Sequence, residues 1–327
     1  MVRLALGSKT TPFGAKPSMI QVTVLPLPGG MASSLAITLD ALNTANRVSL
    51  NGGRPAPFSV RTLRLGHGAA PVFGPGDLVI LPALGSTSDL EVTARLATSA
   101  VRRVARVVAQ AHAAGATVAA SCASTFILAE AGLLAGREAT TTWWLSALFR
   151  RLYPEVTLNV DRIVVTDGRV ISAGAAMAQM DLMLSLIARF ASAGLSEACA
   201  RYLLLDQRKS QSPYMAVNFL AGQDETIARA EAWVRANIER DFSMDEIAGA
   251  VGMLPRTFAR RLIKVCGLSP VRFTQRVRVE EAERLLETTR LSVDEVARRV
   301  GYAEPSTLRR LIRRQARRSP AELRRAG

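Results

Sequence analysis

Cys122 stands where small apolar residues, Ala119-Ala-Ser-Cys122, give way to the helical pattern Ala-Ser-Thr-Phe-Ile-Leu-Ala129. A strand followed at once by a helix places the thiol on a tight elbow, where the N–H groups of the helix start favour thiolate over thiol. An exposed thiolate there would serve as a nucleophile or a redox sensor. The alternative is a buried cysteine that packs as a small hydrophobe. Nucleophilic use needs a base to take the proton and a third group to orient that base. The chain has only two histidines, His67 in a glycine-rich connection and His112 on the helix before the elbow strand. Both read as surface or packing residues. The cysteines Cys122, Cys199 and Cys266 are widely separated, so no metal site or cofactor is expected, and their use suits a reducing cytoplasm.

Anion binding is the second chemistry in the chain. Arg309, Arg310, Arg313, Arg314, Arg317 and Arg318 fall within ten residues. A run of this kind standing alone is as readily a solvated face. Its setting decides. Ser243-Met-Asp-Glu-Ile-Ala-Gly-Ala-Val-Gly252 lies over Ser292-Val-Asp-Glu-Val-Ala-Arg-Arg-Val-Gly301 at an offset of 49 residues. Thr257–Ile263 lies over Thr307–Arg313, and Ser269-Pro270 over Ser319-Pro320, at an offset of 50. One supersecondary unit has been used twice.

Each copy reads as helix, tight turn, helix. Ser243 caps a first turn carrying Asp245 and Glu246, and Ile247, Ala248 and Val251 make the inner face. Gly252 permits the turn, and Pro255 opens the next helix, which buries Phe258 and Leu262. The second copy repeats this with Val296, Ala297, Val300, Gly301, Leu308 and Ile312. Basic residues on the second helix of a helix-turn-helix lie where phosphates and base edges would be, so DNA becomes the expected partner. The contact candidates are Arg256, Thr257, Arg260, Ser306, Thr307, Arg309, Arg310 and Arg313. Between the copies a helix from Ser269 to about Glu287 fixes their relative placement.

These residues resemble the AraC/XylS family of transcription regulators, whose DNA-binding domain has two helix-turn-helix units joined by a long helix. The likeness is carried by Gly267-Leu-Ser-Pro270, Arg278, Ala282 to Leu286, Val296-Ala297, Val300-Gly301-Tyr302 and Ser319-Pro320, over roughly the last hundred residues. Three positions depart from the family. Leu308 and Ile312 replace the usual aromatics of the second reading helix, and Arg317 stands where Gly267 predicts glycine. The resemblance implies that the two units enter successive major grooves, about 34 Å apart.

The net charge is +15, of which residues 223–327, with 22 basic and 15 acidic residues, carry +7. Residues 1–222 carry the other +8, so the N-terminal half also faces DNA or binds an anion. Residues 1–19 read as a loose tail, interrupted by Pro12, Gly14 and Pro17. No later apolar run approaches about 18 residues, so no membrane span is expected.

From residue 20 to 205 short apolar runs alternate with helical patterns. Strands are expected at 21–27, 58–63, 77–83, 116–121, 156–160, 163–166 and 170–173, and helices at 34–48, 90–114 and 177–193. The alternation implies a flavodoxin-like α/β domain, a parallel sheet with helices on both faces and a ligand site at the carboxyl ends of the strands. Residues 206–222 read as a linker, and 223–327 as an all-α DNA-binding domain.

The N-terminal half resembles the PfpI-type branch of the class I glutamine amidotransferase-like superfamily, as found in GlxA-type regulators. Ala41-Leu-Asn-Thr-Ala-Asn46, Leu78-Val-Ile-Leu-Pro82, Cys122, Leu128–Gly136, Ala139-Thr-Thr-Thr-Trp143 and Ser172-Ala-Gly174 with Asp181 carry the likeness. The family's histidine falls at Thr142 and its acidic residue at Ser34, and neither hydroxyl is a general base near neutral pH. The resemblance therefore implies a binding pocket with no catalytic residues, formed by Ser34, Cys122, Thr141, Thr142, Trp143 and Gly174. It would take a small nitrogen-containing metabolite. The expected protein is a homodimeric, cytoplasmic, ligand-responsive transcription regulator on double-stranded DNA. The competing reading is a Cys122 hydrolase or redox sensor tethered to DNA.

Overall fold

The computed structural model describes residues 19–65, 71–206, 208, 210–211, 214–215, 220–222, 224–315 and 319–326. His67, Arg317 and Arg318 lie outside them. The strands are β1 (Ile20–Val24), β2 (Phe58–Thr62), β3 (Leu78–Leu81), β4 (Thr117–Ser121), β5 (Glu138–Ala139), β6 (Thr157–Leu158), β7 (Val164–Asp167) and β8 (Val170–Ala173). The main sheet runs β2-β1-β3-β4-β8-β7, parallel throughout except that β7 is antiparallel to β8 at the edge. The expected strand at 156–160 shrinks to β6, which pairs with β5 in a separate two-stranded sheet.

Strand periodicity sorts the core into two layers. Leu78, Ile80 and Ala119 face helices α1 (Ala32–Asn51), α6 (Ala178–Phe190) and α7 (Ala193–Tyr202). Val79, Leu81, Val118 and Ala120 face α3 (Ser99–Ala113), α4 (Thr125–Glu130) and α5 (Ser146–Leu152). The single helix expected over 90–114 is two, α2 (Asp89–Leu96) and α3. Thr98 divides them: its hydroxyl donates to the Arg95 carbonyl and accepts from the Val101 N–H, capping the second helix.

The C-terminal domain comprises α8 (Glu225–Ala236), α9 (Met244–Ala250), α10 (Pro255–Cys266), α11 (Pro270–Thr288), α12 (Val293–Arg299), α13 (Pro305–Gln315) and α14 (Pro320–Ala326). The duplication is retained in atomic detail. Helices α9 and α12 both open on a reciprocal capping box, Ser243 with Glu246 and Ser292 with Glu295. Both turns pass through a left-handed glycine, Gly252 at φ 72° and Gly301 at φ 75°. Helix α11, 19 residues and so about 28 Å long, packs against α8, α10, α12, α13 and α14.

Arg278 of α11 ties the two halves together. Its buried guanidinium donates to the carbonyls of Gly301 and Arg240 and lies over the rings of Phe242 and Tyr302, at 4.9 and 5.4 Å. Removing it leaves two carbonyls without their donor, so Arg278→Ala is expected to cost about 3 kcal/mol of stability. Arg278→Lys should not restore it, because an ammonium cannot span both carbonyls as a planar fork does. Urea unfolding of the three proteins reads the difference.

The linker is stitched to both domains. Arg208 pairs with the buried Asp181 at 2.6 Å, Ser210 bridges to Arg162, Arg276 donates to the Met215 carbonyl, and Leu220 and Ala221 lie in the helical core. Arg272 of α11 pairs with Asp161 of the sheet domain at 2.7 Å. Arg150 of α5 meets α10 at its left-handed cap Gly267, with Nη2 2.6 Å from where a Cβ would stand.

Candidate functional site

The elbow forms as its sequence requires. Cys122 has φ 55°, a strained conformation for a residue with a side chain. Two hydrogen bonds hold it: its N–H donates to the Gly174 carbonyl and its carbonyl accepts from the Thr141 hydroxyl, both at 2.8 Å. Ser34 accepts from the Ala83 N–H and Ser124 donates to the Pro82 carbonyl, gripping the end of β3 from two sides. Cys122, Ser34, Thr141, Thr142 and Gly174 are all buried around this end of the sheet.

Burial reverses the expected ionisation of the thiol. Only a 3-10 turn and the six-residue α4 follow Cys122, so the helix-dipole effect is small. Cys122 is 1% exposed, and loss of solvent pushes its thiol up to about 11, against the Ala123 N–H and the Thr142 hydroxyl, which both lower it. At pH 7 the thiol is therefore held in its neutral form. Native protein at pH 7 should therefore resist iodoacetamide at Cys122 while urea-unfolded protein reacts. Equal labelling in both states, by mass spectrometry, would contradict this.

The same burial makes stability fall in alkali. Cys122 and Cys266 are raised to about 11 and about 12, chiefly by burial, from an unfolded value of 9.0. The folded chain holds protons that the unfolded chain releases. This contribution is complete below pH 9 and is lost as pH rises from 9 through 11 and 12. The urea midpoint should drop across that window, less so in a Cys122→Ser, Cys266→Ala variant; identical slopes would count against the assignment.

One expected feature moves. Trp143 packs against the apolar core of the helical domain and meets Trp144 edge to face at 5.3 Å, so it serves the domain contact and not a pocket with Cys122. The cause is α5, which turns the neighbouring residues toward α10. His112 is at the amino end of β4, about 16 Å of strand from the elbow at the carboxyl end, too far to act as its base. Sequence reasoning missed Gln211, whose carboxamide lies over Gly174. Nothing local in a polar linker marks a residue whose partners are some 35–70 positions away.

On the helical domain the candidate contact residues lie opposite the buried faces. In α10, Arg256 and Arg260 are exposed and Thr257 half-buried, with Phe258 and Leu262 fully buried. In α13, Ser306, Arg309, Arg310 and Arg313 are exposed and Thr307 half-buried, with Leu308 and Ile312 inward. Leu308 and Ile312 thus fill the core where the family has aromatics. Arg309 pairs with Asp294 at 2.9 Å, an exposed contact that phosphate can replace at little cost.

Two cavities stand apart from the elbow. One of about 390 Å³ opens at the carboxyl ends of β1 and β3, where the strand order reverses, between the Pro26–Gly30 loop, Arg64 and Pro82. A crevice of about 890 Å³ separates the domains, with Thr257, Arg260 and Lys264 of α10 facing Thr87, Asp89 and Arg151.

Comparison with known proteins agrees with this two-part architecture. Residues 92–189 match the DJ-1/PfpI family and residues 247–326 match a helix-turn-helix domain family. The chain is 28% identical over 191 residues to the HTH-type transcriptional regulator GbdR of Pseudomonas aeruginosa, covering 58% of this chain and 52% of that protein. It is 26% identical over 204 residues to the regulator GlxA of Rhizobium meliloti, covering 61% and 62%. The chain thus spans about half to three-fifths of the curated relatives it matches. Among solved structures, the DNA-binding domain of AdpA in complex with a target DNA is 40% identical, over 30% of this chain and 89% of that one, with a TM-score of 0.29. A regulator protein from Vibrio parahaemolyticus is 20% identical, over 57% and 100%, at 0.46.

Proposed function

We propose that this chain, which joins a DJ-1/PfpI-family domain to an AraC-type helix-turn-helix domain, is a transcription regulator that binds double-stranded DNA in response to a small molecule. The observation that carries the reading is the duplicated, doubly capped helix-turn-helix with its basic outward faces on α10 and α13. Arg256, Thr257, Arg260, Ser306, Thr307, Arg309, Arg310 and Arg313 are the proposed contacts. The sheet domain is the proposed sensor and dimer contact. Its ligand is a polar nitrogen-containing metabolite held at the elbow by Ser34, Cys122, Thr141, Thr142 and Gly174. A buried thiol facing a threonine hydroxyl supports binding there in preference to hydrolysis or redox sensing.

Binding of the purified protein to fragments upstream of its own and neighbouring genes, near physiological salt, tests the reading. A protected site with two half-sites supports it; binding that is sequence-indifferent and abolished by salt reduces the basic helices to a general anchor. Arg256 has the exposure of a base-reading residue. Arg256→Ala should weaken specific binding about tenfold and nonspecific binding much less. Equal losses would remove the base-reading role.

A further inference from the structure

The contacts of Gln211 are those of a bound ligand. This linker residue is 2% exposed. Its carboxamide oxygen accepts from the Ala175 N–H at 3.2 Å, and its nitrogen donates to the Thr141 carbonyl at 2.9 Å and to the Thr140 hydroxyl at 3.2 Å. The cradle is part of the elbow. Thr141 also donates to the Cys122 carbonyl, and Gly174, which accepts from the Cys122 N–H, lies directly beneath the carboxamide: a Cβ there would come within 2.5 Å of its oxygen. Next to Cys122 in the chain, the fully buried hydroxyls of Ser121 and Thr125 have no hydrogen-bond partner among the described residues.

One donor and two acceptors together match a group with one acceptor and two N–H donors, which is a primary carboxamide or a urea. A carboxylate would leave the Thr141 carbonyl unpaired, and an ammonium would leave the Ala175 N–H unpaired. Gly174 adds shape selection, since a side chain there would fill the space.

This anchor is one of the ties that hold the helical domain. The Gln211 N–H donates to the Asp161 carbonyl, and the Asp161 carboxylate pairs with Arg272 of α11. In the arrangement so held, α10 packs on α5, and Thr257, Arg260 and Lys264 look into the interdomain crevice. A space of about 890 Å³ takes a small molecule. It does not take a duplex whose major groove, about 12 Å wide, must receive the whole helix between its phosphate walls. At the same interface Nη1 of Arg150 is buried without a hydrogen-bond partner among the described residues, which disfavours the packed arrangement.

We propose that Gln211 is the internal occupant of a carboxamide subsite at the elbow, and that a small molecule bearing a primary carboxamide or urea group displaces it, releasing the linker and freeing α10 for DNA. The DNA half of this statement rests on the regulator reading above; the subsite does not. Displacement by a free ligand must overcome the high effective concentration of a tethered group, so the wild-type chain responds only to ligands with further contacts.

Gln211→Ala in the full chain tests both halves, because it leaves a hole the shape of acetamide. Acetamide should raise the melting temperature of Gln211→Ala and leave the wild-type protein unchanged, while N,N-dimethylacetamide, which keeps the acceptor and lacks the donors, should do nothing. Like responses to the two amides would overturn the subsite. Gln211→Ala should also bind the operator about tenfold more tightly than wild type without ligand, the size of one to two broken hydrogen bonds. Equal or weaker binding would overturn the latch, and absence of sequence-specific binding by either protein would fail the regulator reading while the acetamide result stands. If the alanine variant does not fold, Gln211→Glu, of the same shape without the donors, tests the latch: it should also bind the operator more tightly than wild type, and equal or weaker binding would overturn the latch.

Discussion

Gly301→Ala is expected to unfold the second helix-turn-helix, and Gly252→Ala, at the equivalent turn, to be tolerated. Both glycines are left-handed, at φ 75° and 72°, so both substitutions incur the same conformational penalty of about 1–2 kcal/mol. Their surroundings differ. A Cβ on Gly252 would meet open space, whereas one on Gly301 would overlap the Ile238 carbonyl and come within 2.7 Å of the Arg278 guanidinium. Neither neighbour can yield: Ile238 belongs to the backbone at the end of the first helical segment, and Arg278 is fixed by donating to Gly301 and Arg240. Overlap with rigid atoms adds about 1–3 kcal/mol, bringing Gly301→Ala to roughly 2–5 kcal/mol, a large part of the stability of a small domain. Circular dichroism during urea unfolding separates the two variants. Equal midpoints would show that the close approach at Gly301 contributes nothing.

The second large effect is expected on DNA. Arg309→Ala with Arg310→Ala removes two exposed cations from α13 while leaving Leu308, Leu311 and Ile312 buried beneath them. Stability should change by less than about 0.5 kcal/mol, since the Arg309–Asp294 pair is exposed on both sides. Affinity should fall about a hundredfold, and the dependence of log K on log salt should flatten by about 2, one unit for each phosphate that is no longer neutralised. Titration of operator DNA at three salt concentrations reads both quantities. Unchanged affinity would put the binding surface elsewhere. A large fall in affinity with an unchanged salt slope would mean that the two arginines read bases and leave the phosphates to others.

The helical domain is the most legible part of the chain because its determinants are local. A serine three residues before a glutamate, a glycine six residues further on and a proline opening the next helix act within one or two turns, so the repeat aligns without knowledge of any contact. The parallel sheet is also legible, since β3 and β4 are short runs buried on both faces, as strands between two helical layers must be. The break between α2 and α3 is legible in principle: Thr98 is a capping residue, and the apolar periodicity running through it conceals the signal.

The amino-acid sequence by itself determined two helix-turn-helix units, a parallel sheet and a cysteine on an elbow, because periodicity, caps and turn residues act over a few residues. Only the tertiary structure decided what those features do. It made Cys122 a neutral thiol, because desolvation depends on everything packed around the sulfur and outweighs the short helix behind it. It turned Trp143 toward the helical domain and closed the elbow with Gln211, whose partners at Thr140, Thr141 and Ala175 are distant along the chain. Which groups are dehydrated, and which distant polar atoms meet, follows from the packing of whole layers, and no window of sequence contains it.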